Sequence, residues 1–80
     1  MRHVVYVLKS LKDGKRYIGY TEDLERRIKE HNNGLVKSTK FRRPLEIIHK
    51  EEFESKTEAL KREKFFKSGK GREFLNKKLL

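Results

Sequence analysis

The chain contains no cysteine, no tryptophan, one proline and one methionine in 80 residues. Without cysteine there is no disulfide framework, no thiolate nucleophile and no thiolate-bound zinc or iron–sulfur centre. Any metal must therefore be held by oxygen or imidazole. Long apolar runs are also missing. The longest, Val4 to Leu8, is far below the roughly 18 residues of a membrane span and too short for a signal-peptide core. The expected address is the cytoplasm, with no membrane partner. With 34% hydrophobic residues, the composition supports one small core and one domain over residues 1–80.

What is abundant is positive charge: 22 Lys and Arg against 12 Asp and Glu give a formal net charge of +10. It is uneven. Residues 61–80 carry eight basic and two acidic side chains, so +6 of the +10 lies in the last quarter. Within it, Lys67, Lys70 and Arg72 are candidate phosphate ligands. A second cluster, Lys37, Lys40, Arg42 and Arg43, contains no acid. Two basic patches on so small a body suit a polyanion, and nucleic acid is the usual one. Lys and Glu abundance also fits a solvated surface of ion networks, as in thermophile proteins.

The pattern along the chain predicts the order ββαβαα. Val4 to Leu8 reads as a central strand buried on both faces. Asp13-Gly14 predicts a two-residue type I′ hairpin turn, with Arg16 to Tyr20 as the returning strand. That turn makes opposed residue numbers sum to 27, so Tyr6 and Tyr17 share a face. Thr21 is the expected cap of a helix that Gly34 stops. Leu45, Ile47 and His49 alternate with Glu46, Ile48 and Lys50 into a third strand ending near Phe53. Ser55 and Glu58 form a capping box for a second helix, which Ser68 to Gly71 breaks ahead of a short basic one. The fold class is α+β, a small three-stranded antiparallel sheet flanked by helices.

Helical geometry isolates particular side chains. At about 100° per residue, Phe66, Ala59 and Leu60 make the apolar stripe of the second helix, and Glu63 falls in its middle. A carboxylate there must be paired, protonated or holding a cation, because an isolated buried charge is too costly. A partly exposed Glu63 bonded to a nearby Lys or Arg is the plainer reading. If Glu63 does sit within an apolar stripe, Glu63→Ala is expected to raise thermal stability. In the first helix Leu24, Ile28 and Leu35 align, His31 lies beside them, and Arg27 is one turn below His31. Each of these signals also has an ordinary structural explanation: a core histidine, a solvated arginine, strand tyrosines at the rim of a core.

Together they resemble a family. Val4-Val5-Tyr6, followed eleven residues later by Tyr17-Ile18-Gly19, then Arg27 and His31 four apart, then Ala59 and Glu63, is similar to the GIY-YIG nuclease domain across essentially the whole chain. The likeness is greatest to compact stand-alone members related to the excision-repair protein UvrC and to structure-specific endonucleases. The first tripeptide departs from the pattern by lacking Gly and Ile, and Asn76 is a loose match to a late Asn of some relatives. The resemblance implies metal-dependent hydrolysis of DNA phosphodiester bonds, in repair or recombination. It assigns catalysis to Tyr6, Tyr17, Arg27, His31 and Glu63, with Glu63 holding one Mg²⁺ or Mn²⁺ ion. Either tyrosine, or His31 with a rate titrating near 6.5, would serve as base. DNA is a more expected partner than RNA. The chain has no room for a separate targeting domain, so specificity is expected from DNA shape or a partner protein. A module of the same fold that binds nucleic acid without turnover is the alternative.

Overall fold

The structure is a computed structural model describing residues 2–79. Its order is β1 (His3–Ser10), β2 (Arg16–Thr21), α1 (Leu24–Asn32), a 3₁₀ turn (Lys40–Arg42), β3 (Leu45–Phe53), α2 (Lys56–Phe66) and α3 (Gly69–Lys78). The sheet is antiparallel with order β2-β1-β3, as the sequence pattern predicts. β1 is central because Val4 to Leu8 is buried throughout, which only a strand covered on both faces allows.

One face of β1 carries Val5 and Val7 and packs with Ala59, Phe66 and Leu75 from α2 and α3. The other carries Tyr6 and Leu8, joined by Leu45 and by Leu24 and Ile28 of α1. A register shift opposite Val7 and Leu8 inserts Ile48 as an extra residue in β3. His49 therefore turns to the α2 face, away from Leu45 and Ile47, which corrects the uniform alternation read from the sequence. There it joins a polar clasp. Arg62 makes a forked pair with Glu51 at 2.7 and 3.2 Å and lies over the rings of Phe65, Phe66 and Phe74, while Glu51 meets His49 at 2.8 Å. Burial pushes the Glu51 carboxyl up, but its bonds to Arg62 and His49 outweigh burial and hold it below the usual range.

The hairpin differs from expectation. Opposed residues sum to 25, so Leu11 to Gly14 form a four-residue loop closed by Ser10 N–H donating to the Lys15 carbonyl at 2.9 Å. Only Gly14 has positive φ there (75°), whereas a type I′ turn needs two such residues. The loop is longer by an even number, so parity is unchanged and Tyr6 and Tyr17 do share a face. The cap of α1 is Asp23, whose side chain accepts from Arg26 N–H at 3.1 Å. Thr21, the expected cap, instead accepts from Asp23 N–H one step outside the helix. Ser55 caps α2 as predicted. The expected break at Ser68 to Gly71 is an N-cap instead: Ser68 Oγ accepts from Gly71 N–H, and α3 begins at Gly69. Leu35 lies beyond α1 and is exposed rather than aligned in the core, while the adjacent Val36 is buried. Leu60 is also exposed (41%), so α2 buries a narrower stripe than the wheel predicts and Glu63 lies on its flank.

Candidate active site

Tyr6 stands opposite Gly19 and Tyr17 opposite Leu8, so the two phenols are diagonal neighbours, with ring centroids 6.4 Å apart. Gly19 makes this possible. A Cβ there would overlap the Tyr6 hydroxyl, stand 2.5 Å from its Cζ and lie 3.1 Å from Tyr17 Cε1. Gly19→Ala should therefore destabilise the fold by about 1–3 kcal/mol through forced movement of the Tyr6 ring, read from denaturant midpoints. An unchanged midpoint would show that the ring can yield freely.

α1 brings His31 and Arg27 to the same face. His31 is fully buried, with Nε2 2.9 Å from Tyr6 Oη and Nδ1 2.8 Å from Thr39 Oγ1. Its ring also stands edge-on to Tyr17, with centroids 5.0 Å apart. Thr39, itself fully buried, was not foreseen from the sequence. Only its place before the 3₁₀ turn, as a polar residue in a basic loop, could have signalled it. By occupying Nδ1 it fixes the ring of His31 and leaves Nε2 to Tyr6, so Thr39, His31 and Tyr6 form one buried chain.

Burial, then the nearby Arg27 charge, lowers the His31 pKa to about 4. The imidazole is thus neutral at pH 7, and the expected titration near 6.5 does not apply to it. The unfolded chain takes up this proton near 6.5 and the folded chain only near 4, so His31 contributes stability above 6.5 that is lost as pH falls between the two. The loss is roughly 3 kcal/mol when complete. Urea midpoints of the wild type should fall more between pH 6.5 and 4.5 than those of His31→Gln. Equal slopes would contradict a neutral, buried imidazole.

Burial also raises the Tyr6 pKa, opposed by Arg27 and reinforced by Tyr17 and Glu63. Arg27 is half-buried, pairs with Glu30 at 3.0 Å, and has its own pKa raised through Tyr6 first, then Glu30, with Tyr17 contributing. One cation thus acts on both phenols.

Tyr17 differs from Tyr6 in access. It lines a cleft of about 630 Å³ together with Lys15, Arg16, Lys67, Arg72 and Asn76. The cleft lies along the free edge of β2, where side chains from the α1 face meet the ends of α2 and α3. α2 itself packs on the opposite sheet face from the tyrosines. Glu63 reaches the cleft through Lys67, whose Nζ donates to Oε2 at 3.1 Å, and its side chain is 20% exposed. Lys15 and Arg16 were not singled out in the sequence, although they follow the hairpin turn directly. Asn76 accepts from the Arg16 guanidinium and so ties α3 to β2 at the cleft wall.

The other basic residues separate. Lys67 and Arg72 line the cleft, while Lys40 and Arg43 line a second groove. Lys37 and Lys70 are exposed away from both. Arg42 is half-buried, 3.4 Å from Asp13, with its guanidinium directed at the Arg16 carbonyl. It holds the hairpin to the 3₁₀ turn, and so is not the free phosphate ligand the sequence suggested.

Among the described residues no cluster of three or more His, Asp or Glu forms a metal cage. The side-chain oxygens are the Tyr17 phenol and the Asn76 amide in the cleft and the Glu63 carboxylate bonded to Lys67 at its wall. That set suits a hard, mostly hydrated Mg²⁺ or Mn²⁺, which commonly binds through one or two carboxylates plus substrate phosphate. No described helix is long and apolar enough to cross a membrane.

The chain is similar to known proteins over most of its length. It is 51% identical over 63 residues to a UPF0213 protein of Staphylococcus saprophyticus, covering 78% of this chain and 76% of that one. It is 50% identical over 66 residues to the UPF0213 protein YazA of Bacillus subtilis, covering 81% and 66%. The solution NMR structure of a UPF0213 protein from Bacillus halodurans superposes with a TM-score of 0.59 at 41% identity, covering 96% of this chain and 84% of that one. The model of the GIY-YIG catalytic domain matches residues 2–78, and the chain belongs to the GIY-YIG family of nucleases.

Proposed function

We propose that the chain is a divalent-metal-dependent endonuclease that hydrolyses DNA phosphodiester bonds, acting in the cytoplasm in repair or recombination. The observation that carries this reading is Tyr17, a phenol in a cleft walled by Lys15, Arg16, Lys67 and Arg72, with the Glu63 carboxylate bonded to one of those cations. The four cations seat the phosphate backbone. Tyr17 accepts the proton of the attacking water, a role that access gives to it over Tyr6. Arg27, which faces both tyrosines, places a positive charge beside the site where that proton is taken up. Tyr6, buried and bonded to His31, packs beside Tyr17 and fixes its ring. Glu63 would hold Mg²⁺ or Mn²⁺, which supplies charge neutralisation at the phosphoryl and leaving oxygens.

Because the cleft contacts backbone phosphates, affinity should fall steeply with salt. Five neutralised phosphates give a slope of log K on log salt of about −4 to −5 on duplex. A flat slope in an anisotropy titration would remove the nucleic-acid reading. Hydrolysis itself is tested by incubating purified protein with duplex, nicked, flapped and branched DNA in Mg²⁺ or Mn²⁺. Scission that EDTA abolishes is expected. Tight binding without scission under all these conditions would leave the non-catalytic binding module.

A further inference from the structure

The most exposed large hydrophobic side chain among the described residues is Phe41, at 76%, and it does not line the cleft. It sits on the 3₁₀ turn Lys40–Arg42, which is anchored at several points. Thr39 bonds His31, Ser10 Oγ donates to the Arg42 carbonyl at 2.6 Å, and Arg42 pairs with Asp13. An aromatic ring held out in water on a pinned turn is not explained by packing.

Its surroundings identify what it meets. Lys40 Nζ lies 5.4 Å from the ring centroid, and Lys12 Nζ donates to the Phe41 carbonyl at 3.3 Å. Phe41 also borders a groove of about 560 Å³ lined by Lys12, Asn32, Lys40, Arg43 and Pro44. Residues 35 to 45 contain no carboxylate. A partner protein with an apolar knob would gain nothing from three cations around it, whereas a nucleotide presents a flat π face and an anionic phosphate together. Arg42 also bonds the backbone of Arg16, which lines the cleft, so the turn is joined to the cleft wall.

We infer that Phe41 is a stacking platform for an unpaired nucleobase, with Lys12, Lys40 and Arg43 contacting its flanking phosphates. Base pairs stacked within a duplex expose no face to such a ring, so the contact favours DNA with an unpaired nucleotide. This rests on the nuclease reading and names a substrate feature for it. Stacking of one base on an aromatic ring is sequence-tolerant and is worth about 5- to 150-fold in affinity.

The test uses the absence of tryptophan from the chain. Phe41→Trp supplies the chain's single tryptophan on the turn, excited apart from the tyrosines at long wavelength. In EDTA, a dT₁₂ single strand should quench it, while a blunt duplex of equal length should not. Phe41→Ala should weaken dT₁₂ binding about 5- to 150-fold and leave blunt-duplex affinity within twofold of wild type. Unquenched Phe41→Trp, together with wild-type dT₁₂ affinity for Phe41→Ala, would overturn the inference while duplex binding and cleavage left the nuclease reading intact. Failure of the wild type to bind any DNA would remove that reading as well. Saturable fluorescence change with anionic phosphatidylserine vesicles in place of DNA would assign the ring to a membrane surface and equally overturn the inference.

Discussion

Glu63→Gln should bind DNA as the wild type does and cleave it at least about a thousandfold more slowly, a loss of about 4 kcal/mol of transition-state stabilisation. The amide keeps the size of the side chain and removes the charge that would hold the metal. Stability should change by no more than about 0.5 kcal/mol, because the side chain lies on the flank of α2 and its one ion pair, to Lys67, is at the surface. The gain in stability expected for Glu63→Ala from the sequence is therefore not expected from the structure. Single-turnover rates and a thermal melt separate the outcomes. Loss of folding with unchanged rate in the folded fraction would make Glu63 a structural residue.

Tyr17→Phe should slow cleavage by about two to four orders of magnitude, the usual worth of a positioned proton acceptor. The ring and its packing on Tyr6 and His31 remain. Tyr6→Phe should cost less in rate and more in stability, since it deletes a buried bond to His31 and leaves a buried imidazole nitrogen without its partner, about 1–3 kcal/mol. With its pKa lowered to about 4, His31 is expected to give no rate limb near 6.5. A wild-type rate that climbs smoothly through pH 9 would favour a phenol as the base. A larger loss for Tyr6→Phe than for Tyr17→Phe would exchange their roles.

The pairing of Tyr6 with Tyr17 was legible in the sequence because strand periodicity depends only on parity. The four-residue loop replaced the predicted two-residue turn without changing which side chains face together. The sheet order was legible because Val4 to Leu8 could be accommodated only in the middle. Ile48 was not legible as a bulge, since an extra residue leaves no mark in an alternating pattern, and its cost was His49 on the wrong face. Glu63 was placed mid-stripe because Leu60 was counted as core; the wheel gives angle but not how much of a helix the sheet covers. Thr39 and the Lys15–Arg16 wall of the cleft depend on tertiary contacts between distant segments, to which no local period points. Arg42 has the same charge as the adjoining Arg43, and its contacts with Asp13 and the Arg16 carbonyl, to which no local period points, set it apart.

Single-turnover cleavage of one branched DNA in Mg²⁺, run with wild type, Tyr17→Phe and Glu63→Gln at matched binding saturation, tests the central assignment most directly. The account predicts scission by the wild type, loss of about two to four orders of magnitude for Tyr17→Phe, and at least about a thousandfold loss for Glu63→Gln. Equal rates for all three proteins would contradict it.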